Sequence, residues 1–178
     1  MMRYLKAREM VAVAILLGAL FCSSSAFAQT CLFSASSCIN IHIDGIAGED
    51  GNGNYNVATY NWGRPDVPAP LGAASQITFT RSELDSTTVR LMHAAANHRV
   101  VATADLSVIL MGTVTVSYHM VDVQFESVQH NGQSPSPNPP VVSESVILGF
   151  KKLVYTFQPV LPNGQKNGPP VTFTWNFE

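Results

Sequence analysis

Asp50, Asn52 and Asn54 stand at alternate positions in the stretch INIHIDGIAGEDGNGNYN, residues 39–56. Side-chain oxygens spaced in this way open a calcium loop. The pattern then breaks, because Tyr55 takes the place of the sharp-turn glycine and Asn61 that of the bidentate glutamate. A solvated turn without metal is the expectation. His42, His93, His98, His119 and His130 show neither H-x-H nor H-E-x-x-H spacing, so structural or surface roles are expected for them. Ser134, in GQSPS, lacks the second glycine of a nucleophile elbow. Asp44, Glu49 and Asp50 share one turn, whereas glycoside hydrolysis needs two carboxylates held at a set separation. Trp62 and Trp175 are residues of the type that form sugar platforms, although such tryptophans more often serve a core or an interface. No catalytic signature emerges, and the chain is expected to be non-enzymatic, with no cofactor.

The first 28 residues have the plan of a secretory signal peptide. Arg3, Lys6 and Arg8 precede the apolar run Met10 to Phe21, and small residues follow up to Ala26, Phe27 and Ala28. A spanning helix needs about 20 apolar residues, so cleavage between Ala28 and Gln29 is expected. Lipid modification at Cys22 fits poorly with the bulky Phe21 before it. From Gln29 onward, seven basic residues face eleven acids, a net charge of −4, with no basic patch to suggest nucleic acid. Export to an oxidising compartment favours a bond between Cys31 and Cys38. In the chain-entropy model so short a loop contributes about 2.5 kcal/mol.

The remaining chain reads as strands that must position these residues. CINIHI places Ile39, Ile41 and Ile43 on one face, and QITFT and VTFTWNF alternate likewise. In VVATADLSVILM, Ala102, Ala104, Leu106, Val108 and Leu110 share a side. The long run from Thr113 is apolar at Tyr118 and Met120, then shifts phase to Val121, Val123 and Phe125, which predicts a β-bulge. A second break at Gly149 to Lys152 separates Val146, Leu148 and Phe150 from Leu153, Tyr155 and Phe157. One helix is predicted from Thr87 to about Asn97, with Asp85 or Ser86 as its N-cap and Val89, Met92 and Ala96 at helical spacing. The prolines of residues 131–140 predict a mobile loop, and LPNGQKNGPP, residues 161–170, a hairpin connection. Together these elements predict a mainly β fold, a small antiparallel barrel or sandwich with one short docked helix.

In this order, INIHIDGIAGED, YNWG, ITFTRSELDSTTVRLMHAAANH, VDVQFESV, SVILGFKKLVYTFQP and PPVTFTWNF resemble the haemolysin-coregulated protein (Hcp) family, the tube subunits of type VI secretion systems. The resemblance runs from about Ile39 to Phe177. It implies a small β-barrel whose copies join into hexameric rings, rings that stack into a hollow tube, and a lumen that carries effectors. It also implies that the acidic loop after the first strand has no metal role. The partners it implies are other copies of this chain, secreted effectors and other secretion-system components. The export signal departs from that pattern, since type VI tubes assemble in the cytoplasm from leaderless subunits. Two readings stay open: an exported ring former, periplasmic or extracellular, or a monomeric secreted module that binds sugar or calcium. Candidate subunit-interface residues are Gly45, Glu49 and Asp50 in the loop after Ile43, and Asn163, Gly164 and Lys166 in the last hairpin.

Overall fold

The computed structural model describes residues 36–62, 75–82, 85–133 and 141–177. The signal peptide with Ala26, Ala28 and Gln29, the half-cystine candidate Cys31, and Ser134 with the prolines after it lie outside the described residues. Among the described residues nine strands and one helix follow in order: β1 (Cys38–Ile43), β2 (Asn54–Val57), β3 (Thr59–Trp62), β4 (Ser75–Arg81), α1 (Ser86–Ala96), β5 (Val100–Leu110), β6 (Thr113–Gln133), β7 (Val141–Phe150), β8 (Lys152–Phe157) and β9 (Val171–Asn176). The fold is mainly antiparallel β with one short helix.

The sheet runs β2-β1-β5-β6-β7-β4-β3. β2 and β3 are halves of one extended run broken at Ala58, whose amide donates to the Thr80 carbonyl at 2.8 Å. Because β2 pairs with β1 and β3 with β4, the order returns to its start and the sheet closes into a barrel. Closure removes most free strand edges. Its interior is filled by alternate residues such as Ile41, Tyr55, Phe79, Leu106, Met120 and Phe125, all fully buried.

β6 makes the closure possible. Twenty-one straight residues would span about 70 Å, so the strand has to bend to stay on a small core. It does so at the expected phase change. Met120 and Val123 are both buried while Asp122 between them sits at φ +53°. A second irregularity follows between Phe125 and Ser127. There Glu126 lies over Gly149, where a Cβ would come within 2.6 Å of its Oε1. The first part of β6 pairs with β5 and β8, the last part with β7. Asn131 to Gln133, expected in the proline loop, instead continue the ladder opposite Val141 to Ser143.

Three expectations about buried faces need correction. The helix has Asp85 as N-cap in a reciprocal capping box with Thr88, but it buries Thr87, Thr88, Leu91 and Ala94. Val89 and Met92 face solvent, at 67% and 46% exposure. The real apolar stripe is one position out of phase with the bulkier residues, since the threonine pair and Ala94 fit the close approach to β6. In β5, Ala102 and Leu110 are exposed while Val101 and Ile109 are buried, because irregularities opposite Asp122 and at Val108/Ile109 reset the alternation. Thirdly, every residue of β9 is exposed.

Candidate functional site

The loop joining β1 to β2 is a built structure. Asp50 Oδ1 accepts from the amides of Asn52 (2.7 Å) and Asn54 (3.2 Å), and Oδ2 accepts from the Asn54 side chain. Burial pushes the Asp50 carboxyl up, yet these three donors outweigh it and hold the group below the ordinary carboxylate range. The oxygens of the calcium-like pattern therefore close a turn. Gly48 is required here, since a Cβ would meet the Asn54 carbonyl oxygen at 2.2 Å.

Beneath the loop, Arg81 is 1% exposed at the end of β4. Its Nε and one terminal nitrogen donate to Glu49 Oε1 at 3.2 and 2.7 Å, and the other donates to Glu144 Oε2 at 2.9 Å. Tyr55 presents its ring to the guanidinium, 5.1 Å from the centroid. Burial raises the Glu49 carboxyl above its ordinary value despite the bonds from Arg81. Glu144 is fully buried and also receives His130 at 3.2 Å. Glu49 is thus a tether between loop and barrel. Sequence reading missed this role, because nothing marks an isolated arginine at a strand end as buried.

The second candidate loop lies elsewhere. Gly164 is buried against Met111, where a Cβ would come within 2.6 Å of the methionine's own, and its carbonyl accepts from Thr113 at 2.7 Å. The Asn163 side chain accepts from the Gln165 amide, and Lys166 forms a bridge with Val160. This loop therefore packs on the β5–β6 turn. Gly45, Glu49 and Asp50 come together at the other end of β5, whose eleven residues span about 34 Å. The structure separates the two candidate loops to opposite ends of the barrel.

Three histidines bond to neighbouring side chains. His42 contacts Asn54 and Asp44, and His119 Nδ1 lies 2.7 Å from Asp105. The bond to Asp105 raises His119 above its ordinary value, against a smaller opposing effect of burial. Among the described residues, no three His, Cys, Asp or Glu side chains gather as a metal site.

The most distinctive surface is the β8–β9 hairpin. Directly opposed pairs are Leu153/Trp175, Tyr155/Phe173 and Phe157/Val171, so all six side chains share one face. That face enters the core at Leu153, which is fully buried, and opens to solvent at Phe157 (43%), Val171 (47%) and Phe173 (55%). A row of rings continues from barrel to hairpin. Tyr118 contacts Tyr155 at 5.3 Å, Trp62 contacts Trp175 at 5.4 Å, and Phe173 follows at 6.0 Å from Trp175. The two tryptophans lean on each other at 55° rather than forming an open platform. β9 pairs only with β8, leaving its outer edge unpaired among the described residues.

No family model matches the sequence, and no curated protein matches it. Solved structures do. A type six secretion system protein superposes with a TM-score of 0.63 at 19% identity, covering 80% of this chain and 96% of the other. Hcp1 from Salmonella typhimurium gives 0.60 at 19% identity, over 80% and 96%. A type VI secretion system effector from Yersinia pestis gives 0.58 at 16% identity, over 78% and 98%. The fold is Hcp-like. Among the described residues no helix is long and apolar enough to cross a membrane.

Proposed function

We propose that the chain is an exported, non-enzymatic Hcp-like structural protein, a type VI tube-type subunit whose copies join into a hexameric ring. The observation that carries this reading is the exposed apolar face of the β8–β9 hairpin beside an open strand edge. Phe157, Val171, Phe173 and Trp175 are each roughly half exposed. Full burial of such a side chain contributes about 1.5–3 kcal/mol, so covering all four contributes roughly 4 kcal/mol per contact. An exposed face and edge of this kind favour association. The hairpin is the in-ring contact. The two loops at opposite barrel ends, with Gly45, Glu49 and Asp50 on one and Asn163, Gly164 and Lys166 on the other, are the contacts between stacked rings. A heterologous arrangement of this sort extends along an axis. Secreted effectors are the cargo.

Export follows from the signal peptide of residues 1–28. Cleavage frees Gln29, and a Cys31–Cys38 disulfide then ties the new N-terminus to β1. The test is sedimentation velocity of residues 29–178 and of Phe173→Glu. Phe173→Glu leaves the circular dichroism spectrum unchanged and reduces the large species to monomer. Unaltered assembly of Phe173→Glu contradicts the hairpin contact.

A further inference from the structure

A groove of about 340 Å³ separates the β1–β2 loop from the outer face of α1. Ile46, Ala47 and Val89 form its apolar side, and Arg90, His93 and Arg99 its polar side. Arg90 donates to the Ala47 carbonyl at 3.0 Å and Arg99 to the Gly45 carbonyl at 2.8 Å. Those bonds hold both guanidinium groups at the groove. Among the described residues neither arginine meets a carboxylate within ion-pair distance, in contrast to Arg81. A guanidinium has five N–H donors, so each is left with four beyond its bond to the loop. Asp44, next to Gly45 in the loop, is engaged by His42 and Thr103. On a chain of net negative charge, two such arginines on one apolar groove are a local reversal of sign.

We infer that this groove binds a carboxylate carried on a short apolar stem. The carboxylate sits between Arg90 and Arg99, where planar forks match its two oxygens, and the stem lies on Val89 and Ile46. Both arginines are already fixed by the loop carbonyls, which reduces the ordering cost of binding. A free organic acid and a glutamate flanked by leucines on a partner segment present the same chemistry. An affinity on the order of 1 mM is expected for so small a contact.

The experiment is a titration of the ¹⁵N-labelled mature chain, read at the arginine Nε–Hε signals. The probes are sodium hexanoate, hexanamide, inorganic phosphate and the blocked tripeptide acetyl-Leu-Glu-Leu-amide. Hexanoate or the tripeptide shifts the Arg90 and Arg99 signals, and the shift weakens as salt rises. Binding of the tripeptide at least tenfold tighter than hexanoate identifies a protein partner as the source, and the reverse identifies a free acid. Arg90→Gln, read at the Arg99 signal, and Arg99→Gln, read at the Arg90 signal, each weaken binding at least tenfold while the Tyr55 and Val57 amide shifts stay in place. Equal response to hexanamide overturns the role of charge, and equal response to inorganic phosphate overturns the role of the stem. No shift with either acid overturns the site outright, in the unsubstituted protein, whether or not the copies associate.

Discussion

Replacing Arg81 by methionine keeps most of the side-chain volume and removes the cation that Glu49 and Glu144 share. The cavity cost is therefore small and the electrostatic cost dominates. Glu49 loses two of the three donors to Oε1 and keeps the Asn56 amide, while Glu144 keeps His130. Asp85, 3.5 Å from Arg81 and 38% exposed, counts for little. Removing one partner of a buried pair typically costs 3–5 kcal/mol. With two buried carboxylates stranded and each retaining one donor, about 4 kcal/mol is expected, a large part of a domain's usual 5–15 kcal/mol. The sign of the pH dependence follows from the same groups. Without Arg81, the Glu49 carboxyl, already raised by burial, rises further above its unfolded value, so the folded variant binds more protons. Its deficit is then largest near pH 7.5 and shrinks as pH falls toward 5. Urea unfolding followed by tryptophan fluorescence, at pH 7.5 and pH 5.5 and equal protomer concentration, measures both quantities. A deficit below about 1 kcal/mol, or the same deficit at both pH values, would refute the reasoning.

Gly48→Ala and Gly51→Ala separate two kinds of glycine in one loop. The first drives a methyl into the Asn54 backbone and is expected to cost about 2–3 kcal/mol. The second stands at φ +79° in open space and is expected to cost about 1 kcal/mol, and equal midpoint shifts in urea would contradict the distinction. The raised pKa of His119 means that its bond to Asp105 stabilises the fold fully below the unfolded pKa of about 6.5 and fades as pH rises through the folded value. His119→Gln is therefore expected to lose stability at pH 5.5 and to approach the parent at pH 8.5. A pH-independent difference would assign the histidine a packing role instead.

The alternation of CINIHI, QITFT and the Val146–Phe150 run showed their strands, because a period-two signal survives wherever one face is buried, and the phase shift after Met120 marked the irregular Asp122, although the register shifts themselves lie at Val108/Ile109 and Phe125/Ser127. β2 and β3 escaped notice: NYNV and TYNW are four residues each, half polar, and are held in place by closure of the barrel rather than by their own pattern. The helix ends were legible from Asp85, but its buried face was not, since Val89 and Met92 outweigh Thr88 and Ala94 in apolarity. β9 misled in the opposite direction. Its alternation is real, yet the barrel has no room for that face beyond Leu153, so Phe173 and Val171 emerge into solvent. Residues of the two candidate loops were named correctly as loop residues, but their separation depends on the β5–β6 turn, which no local signal connects to Gly164.

The central claim is that copies of this barrel form a closed ring. Native mass spectrometry of residues 29–178 purified from the periplasm tests it most directly. The account predicts a six-subunit species whose mass is the same with and without calcium. A monomer at the same concentration would contradict the ring and leave the Hcp-like fold in another use.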